Sequence, residues 1–311
     1  MGVRILLQPK NRAHGQISAN DYTEYESAMD GDRINPVYYR KNELKNRYKK
    51  SEMSRWFTAD TETPRAVVLL IHGLNQKPSK WRQLIFFLNS LDLHVYRLTL
   101  RGHGGAPFGN MISVTARSWQ SDFMSGYGEL DRRYPGAEKI FVAYSLGGLV
   151  ALESQLKFGK SFFTKQVLLA PSLFLRPYVY LVKPVTKILP FIPSRTPKAY
   201  RANPKATASA AYQALFELLK GFHSRMAYRV LNSHTLVMMK PGDEVVSYNG
   251  IKTMMQRYRA SRWALLRIPD SEDNLNPGFK HLVIDRPSLG KKGWEFVTRE
   301  MKRFLDKPLH F

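Results

Sequence analysis

The feature that most restricts the fold of this chain is the stretch Lys139-Ile140-Phe141-Val142-Ala143-Tyr144-Ser145-Leu146-Gly147-Gly148. Its first part, KIFVA, has the length and composition of a buried strand. From Leu146 the pattern turns helical, with Leu149, Leu152 and Leu156 at helical spacing to about Phe158. A strand that reverses sharply into a helix with serine at the apex lifts the hydroxyl beyond the sheet edge and aims the helix N-terminus at it. Backbone N–H groups at that N-terminus are free to hold an oxyanion. The spacing is Ala-x-Ser-x-Gly, and Ala143 is the smallest departure from glycine at that place. A plain strand–turn–helix would share the pattern, so the serine needs partners elsewhere in the chain.

The surrounding sequence repeats the same alternation. Ala66–Ile71 is an apolar strand ending at His72-Gly73-Leu74-Asn75, and Trp81, Leu84, Ile85 and Leu88 mark the helix after it. Strand 94–100 runs into the glycine-rich loop Arg101-Gly102-His103-Gly104-Gly105. Trp119, Phe123, Tyr127 and Leu130 mark a helix that Pro135-Gly136 ends. Strands follow at 166–170, 235–239 and 263–268, with helical patterns through Ile251, Met254, Met255 and Tyr258 and through Trp294, Val297, Met301 and Phe304. Arg55-Trp56-Phe57-Thr58 reads as an edge strand. Such alternation implies right-handed βαβ units and an α/β fold with a mainly parallel sheet.

A serine hydroxyl is a weak nucleophile until an imidazole takes its proton, and a carboxylate best fixes that imidazole's tautomer. In a parallel α/β sheet the acid should follow a later strand and the histidine the last one, in the chain order serine, acid, histidine. Asp243 follows strand 235–239 through a Pro-Gly turn, and His281 follows strand 263–268. Asp243 has rivals: it could merely cap the next helix, Glu244 is adjacent, and Asp270 and Asp273 stand in reserve. Of the other histidines, His72 and His103 lie in early loops, His94 and His234 begin strands, His223 falls between strands, and His14 and His310 are near the termini. Only His281 comes late, in a loop, with a helix after it. The oxyanion donors expected are the Leu146 N–H, which comes with the turn, and the Leu74 N–H from the loop after strand 66–71. His72 is expected to brace that loop.

Between Pro171 and about Ser233 the alternation stops. Seven of the 18 prolines fall between Pro171 and Pro204, and no Asp or Glu occurs from Ser154 through Phe216. Leu173, Phe174, Tyr178, Leu181, Ile188, Leu189 and Phe191 share this span with Arg176, Lys183 and Lys187. Basic and apolar groups together suit an anionic membrane surface; the plainer reading is a cap packed on the core. The net charge of +23 points the same way, toward anionic partners. The basic cluster Arg40, Lys41, Lys45, Arg47, Lys49 and Lys50 has no periodic aromatics, which argues against a nucleic-acid reader. With no cysteine, thiolate catalysis and cysteine-ligated zinc are excluded. No secretory signal or membrane-spanning segment is read, so a cytoplasmic protein, in peripheral contact with membrane, is expected.

Five blocks in order, HGL at 72–74, RGHG at 101–104, YSLGG at 144–148, GDEVV at 242–246 and His281, resemble the serine α/β-hydrolases of the monoacylglycerol lipase and lysophospholipase-like group. The resemblance spans roughly residues 55 to 306. It implies an α/β-hydrolase core from 55–170 and 234–311, an inserted cap or lid at 171–233, and a basic extension at 1–54. It also implies a carboxylic-ester hydrolase acting on a lipid or other small ester, with Ser145, Asp243 and His281 as the triad and no metal or organic cofactor. Three rivals use the same residues differently: a thioesterase or peptidase, a cofactor-free perhydrolase or haloperoxidase, and a basic binder of membrane or nucleic acid on an inactive hydrolase fold.

Overall fold

The structure, a computed structural model, describes residues 50–104, 111–226 and 233–308, together with two short strands further toward the N-terminus. Those strands, β1 (Ser27–Asp30) and β2 (Arg33–Pro36), pair antiparallel with each other. Apart from Lys50, which begins a 3₁₀ turn, the basic cluster at 40–50 lies outside the described residues, as do His14, Gly105 and His310.

The core is a seven-stranded sheet. Its members are β3 (Arg55–Phe57), β4 (Ala66–Ile71), β5 (Leu93–Leu98), β6 (Lys139–Tyr144), β7 (Lys165–Leu169), β10 (His234–Met239) and β11 (Trp263–Arg267). Their spatial order is β11-β10-β7-β6-β4-β5-β3. Every pairing is parallel except that of the edge strand β3 with β5. Ala66–Ile71 is buried at all six positions, as a strand covered on both faces must be. The strand order reverses direction beside β4 and β6, so the C-terminal ends of these strands open on a crevice where a site can form.

Helices α1 (Arg82–Asn89), α2 (Ala116–Arg133), α3 (Leu146–Phe158), α4 (Ser209–Arg225), α5 (Tyr248–Arg257) and α6 (Arg286–Asp306) pack around the sheet. Their ends follow local chemistry. Thr115 and Ser118 form a capping box at α2, Asp285 and Ser288 another at α6, and Ser247 caps α5. Helix α6 bends at Gly290, where φ is 71°. There Asp273 takes the Lys291 N–H at 2.9 Å.

The ordered core reaches back before β3. The Glu52 carboxylate accepts from the Ser79 N–H and hydroxyl at 2.9 and 2.6 Å, and Arg97 donates to the Ser51 and Met53 carbonyls at 2.7 and 2.8 Å. Between β7 and β10 the chain makes short turns, a small ladder of β8 (Phe191–Ile192) with β9 (Thr207–Ala208), and then α4. Helix α4 lies on α3, with Arg225 paired to the buried Glu153 carboxylate at 2.7 Å. Gln120 also donates to Glu153. Among the described residues no helix is long and apolar enough to cross a membrane.

Candidate active site

Ser145 sits between β6 and α3 with φ 51° and ψ −114°, a backbone conformation that L-residues adopt only where surrounding structure enforces it. Tight packing enforces it here. A Cβ built on Gly147 would lie 2.7 Å from the Ile71 carbonyl oxygen and 2.8 Å from that of His72, so only glycine lets α3 start against the end of β4. The Ser145 N–H is held by the Leu169 carbonyl at 3.0 Å.

The acid and the histidine arrive from the ends of β10 and β11. His281 Nε2 lies 2.8 Å from Ser145 Oγ, and His281 Nδ1 lies 2.8 Å from Asp243 Oδ2. All three residues are buried, Asp243 completely. The second oxygen, Asp243 Oδ1, accepts the Val245 and Val246 N–H groups at 2.7 Å each, so the carboxylate is fixed by its own turn. Glu244 does a different job from Asp243. Its carboxylate accepts the backbone N–H groups of Lys280 and His281 at 3.0 and 3.3 Å, clamping the histidine loop to the acid loop. The Tyr144 ring packs against the imidazole with centroids 5.1 Å apart. Burial and the nearby Asp243 and Glu244 hold its phenol well above the usual range. The reserve carboxylates lie elsewhere: Asp270 is exposed beside Lys240 and Lys280, and Asp273 serves the bend of α6.

The loop after β4 lies against the serine, since a Cβ on Gly73 would come within 3.3 Å of Ser145 Cβ. Its neighbouring N–H groups are occupied, Gly73 by Gln76 Oε1 and Asn75 by His103 Nε2, each at 2.9 Å. Among the described residues no acceptor lies on the Leu74 N–H between them. The Leu146 N–H, first in α3, has no partner within its helix by construction. Two buried histidines hold this loop. His72 Nδ1 donates to the Gly73 carbonyl at 2.8 Å while its Nε2 accepts from the Leu100 N–H at 3.0 Å. His103 stands 4.5 Å away, ring to ring. Burial pushes the His103 imidazole down to about 4, and burial with the neighbouring His103 lowers His72, so both stay neutral and keep an acceptor nitrogen. Asp122 accepts the Arg101 N–H and Nε–H at 2.8 and 2.9 Å, anchoring the loop that carries His103.

Comparison with known proteins decides the family. The family described as serine aminopeptidase, S33 matches residues 62–220, half of the chain. This chain belongs to that family. The hydrolase has relatives of low identity. It is 23% identical to the monoacylglycerol lipase of Mycolicibacterium smegmatis over 74% of this chain and 86% of the relative. It is 26% identical to human monoglyceride lipase over 92 residues, a match spanning only 30% of either chain. A solved monoglyceride lipase from Saccharomyces cerevisiae, in complex with a substrate analogue, superposes with a TM-score of 0.64 at 17% identity, covering 81% of this chain and 92% of that one. The fold of the hydrolase is therefore the α/β-hydrolase fold.

Several residues of the hydrolase site carry no signal in the sequence. Ser172 Oγ lies 2.8 Å from Ser145 Oγ, on a strand-end turn where Ala170 takes φ 42°. Asn75, at φ 50°, donates to the Thr207 hydroxyl at 3.0 Å and accepts the Asn203 N–H at 2.8 Å, tying the loop after β4 to the insertion. Arg176 runs the insertion along the acid loop, its Nε donating to the Asp243 carbonyl at 3.1 Å. Tyr200 donates to the Asp285 carboxylate at 2.9 Å, just beyond the histidine loop.

Proposed function

We propose that this protein is a serine carboxylic-ester hydrolase that cleaves a long-chain acyl ester of the monoacylglycerol class. The observation that carries the reading is the unbroken chain Asp243–His281–Ser145, with both links at 2.8 Å, ending on a strained serine. Ser145 Oγ attacks the ester carbonyl and passes its proton to His281 Nε2, while Asp243 steadies the imidazolium. The Leu74 and Leu146 N–H groups receive the oxyanion. His281 returns the proton to the leaving alcohol, and water, activated by the same imidazole, releases the acid from Ser145. The choice of a lipid ester is supported by the lipases among the relatives. It is supported also by the insertion at 171–233, which we take as a cap over the site. That cap bears exposed Leu181, Ile188 and Leu189 beside exposed Lys183 and Lys187, a surface suited to anionic lipid where such a substrate resides.

Fluorophosphonate labelling followed by turnover of a panel of monoacylglycerol, thioester and aminoacyl-arylamide substrates tests the reading. Modification should fall on Ser145, the monoacylglycerol should be turned over fastest, and Ser145→Ala should lose at least about a thousandfold in kcat with the fold intact. Turnover surviving in that variant would sink the serine mechanism. A preference for the arylamide would replace the lipase reading with a peptidase.

A further inference from the structure

We propose that the Ser172 hydroxyl is a second catalytic group, a hydrogen-bond donor aimed at Ser145 Oγ that acts chiefly when the acyl-enzyme is broken down. The proposal rests on the serine-hydrolase reading above and extends it to a residue outside the triad.

Proton accounting fixes the direction of the bond. Asp243 is acceptor-only as a carboxylate, so the hydrogen at 2.8 Å between it and His281 sits on Nδ1. The neutral imidazole then offers Nε2 as an acceptor, and Ser145 spends its single proton there, at 2.8 Å. The contact between the two hydroxyls, also 2.8 Å, can be made only with Ser172 donating. Ser172 is not a wandering surface hydroxyl. It is 3% exposed, and its backbone N–H is bonded to the Ser145 carbonyl at 3.1 Å, so two separate bonds bind it to the nucleophilic residue.

The consequence follows from where charge gathers. During acylation the Oγ–carbon bond forms as the Oγ proton moves to His281 Nε2. The bond from the acyl carbon to the alcohol oxygen then breaks, its electron pair stays on that oxygen, and the leaving alcohol takes the proton from Nε2. During deacylation a water oxygen bonds to the acyl carbon and yields its proton to Nε2. The carbon–Oγ bond then breaks, its electron pair remains on Oγ, and Oγ recovers the proton from Nε2, giving free acid and the original serine. In the acyl-enzyme Oγ is an ester oxygen, a weak acceptor, and it becomes strongly basic only as that bond breaks. A fixed donor on Oγ is thus bound more tightly in the deacylation transition state than in the state before it, which is the condition for catalysis. In the resting enzyme the donor already bonds the hydroxyl, so acylation gains less.

The test is pre-steady-state turnover of a p-nitrophenyl acyl ester by the full chain, which separates acylation from deacylation. Ser172→Ala should slow deacylation by about ten- to hundredfold, the range for a donor to a charged partner, with a smaller effect on acylation and a burst approaching one equivalent. Ser172→Thr, which keeps the hydroxyl, should deacylate near the parent rate. Deacylation of Ser172→Ala within twofold of the parent overturns the proposal, and so does an equal slowing in both variants, which would assign the residue to packing. Ser145→Ala run alongside separates the two levels. Activity surviving there removes the serine mechanism itself, whereas a dead Ser145→Ala beside an unimpaired Ser172→Ala removes only the role of Ser172.

Discussion

The turn at Ser145 and the insertion between β7 and β10 meet at one site but are built on opposite terms. Around Ser145 every side chain from Ile140 to Leu156 is buried, and the positive φ of the serine is imposed by backbone packed on backbone. The first part of the insertion, from Tyr178 to Phe191, is instead mostly exposed: Ile188 stands 81% exposed and Leu181 71%. On either side of this stretch the insertion is tied to the core by polar links through Arg176, Tyr200 and Asn75. The difference separates two demands. A nucleophile and its donors must hold their places before substrate arrives, and that calls for close packing. A surface of the kind we propose to meet lipid must keep apolar groups in water, and it can be attached only by bonds that do not need those groups.

The sharpest way to break the first half of that contrast is Gly147→Ala. The added methyl would fall on two carbonyl oxygens of the main chain, with no flexible side chain to give way. The variant should lose about 3 kcal/mol of stability, the upper range of overpacking, and its rate of fluorophosphonate labelling should fall with it. Equilibrium unfolding in denaturant and labelling kinetics check both. A parental midpoint would mean that the turn tolerates a looser start of α3 and that its strain is not enforced by contact with β4.

The sequence was informative on the packed side for a physical reason. Strand-then-helix periodicity around Ser145 reports the backbone, and the chain order of a parallel sheet carries acid and histidine to one edge, where the structure brings Asp243 and His281 onto Ser145. The insertion was opaque for the opposite reason. Helix α4 is 17 residues long, yet no side chain caps its start at Ala208, and the proline-rich, basic stretch before it gives no start signal for its stripe of Ala211, Leu215, Leu218 and Phe222. Ser172 and Asn75 are single polar residues in loops. Their meaning comes from positive φ at Ala170 and Asn75 and from partners far along the chain, neither of which leaves a pattern.

An intermediate effect is expected at the seam. Asn75→Gly keeps the backbone free to hold its φ of 50° and removes only the amide. It strands the buried Asn203 N–H and takes one donor from the Thr207 hydroxyl, so about 2 kcal/mol should be lost. Because the next residue back is Leu74, a weakened tie should lower kcat more than it raises KM if the loop supplies an oxyanion donor. Unfolding midpoints and steady-state kinetics on one ester give both numbers. Full stability in Asn75→Gly would show that the insertion is seated by other contacts and would move the comparison to Tyr200 and Arg176.

The smallest effect on stability should come from the exposed apolar face, and there the contrast predicts a dissociation of readouts. Leu181→Ser with Ile188→Ser removes two large side chains that contribute little packing, so the free energy of unfolding should change by no more than about 0.5 kcal/mol. Short-chain water-soluble esters should be turned over as before, since the Ser145 side of the site is untouched. Sedimentation with vesicles containing anionic phospholipid should fall several-fold, and turnover of vesicle-borne monoacylglycerol with it. The neighbouring Lys183 and Lys187 supply an independent arm: replacing both with glutamine should weaken binding to anionic vesicles and leave the weaker binding to neutral ones unchanged. Equal sedimentation of parent and double-serine variant would break the comparison at its second half. The exposed leucine and isoleucine would then be ordinary surface residues, and the basic charge of the insertion would have to act on substrate or solvent instead of on a membrane.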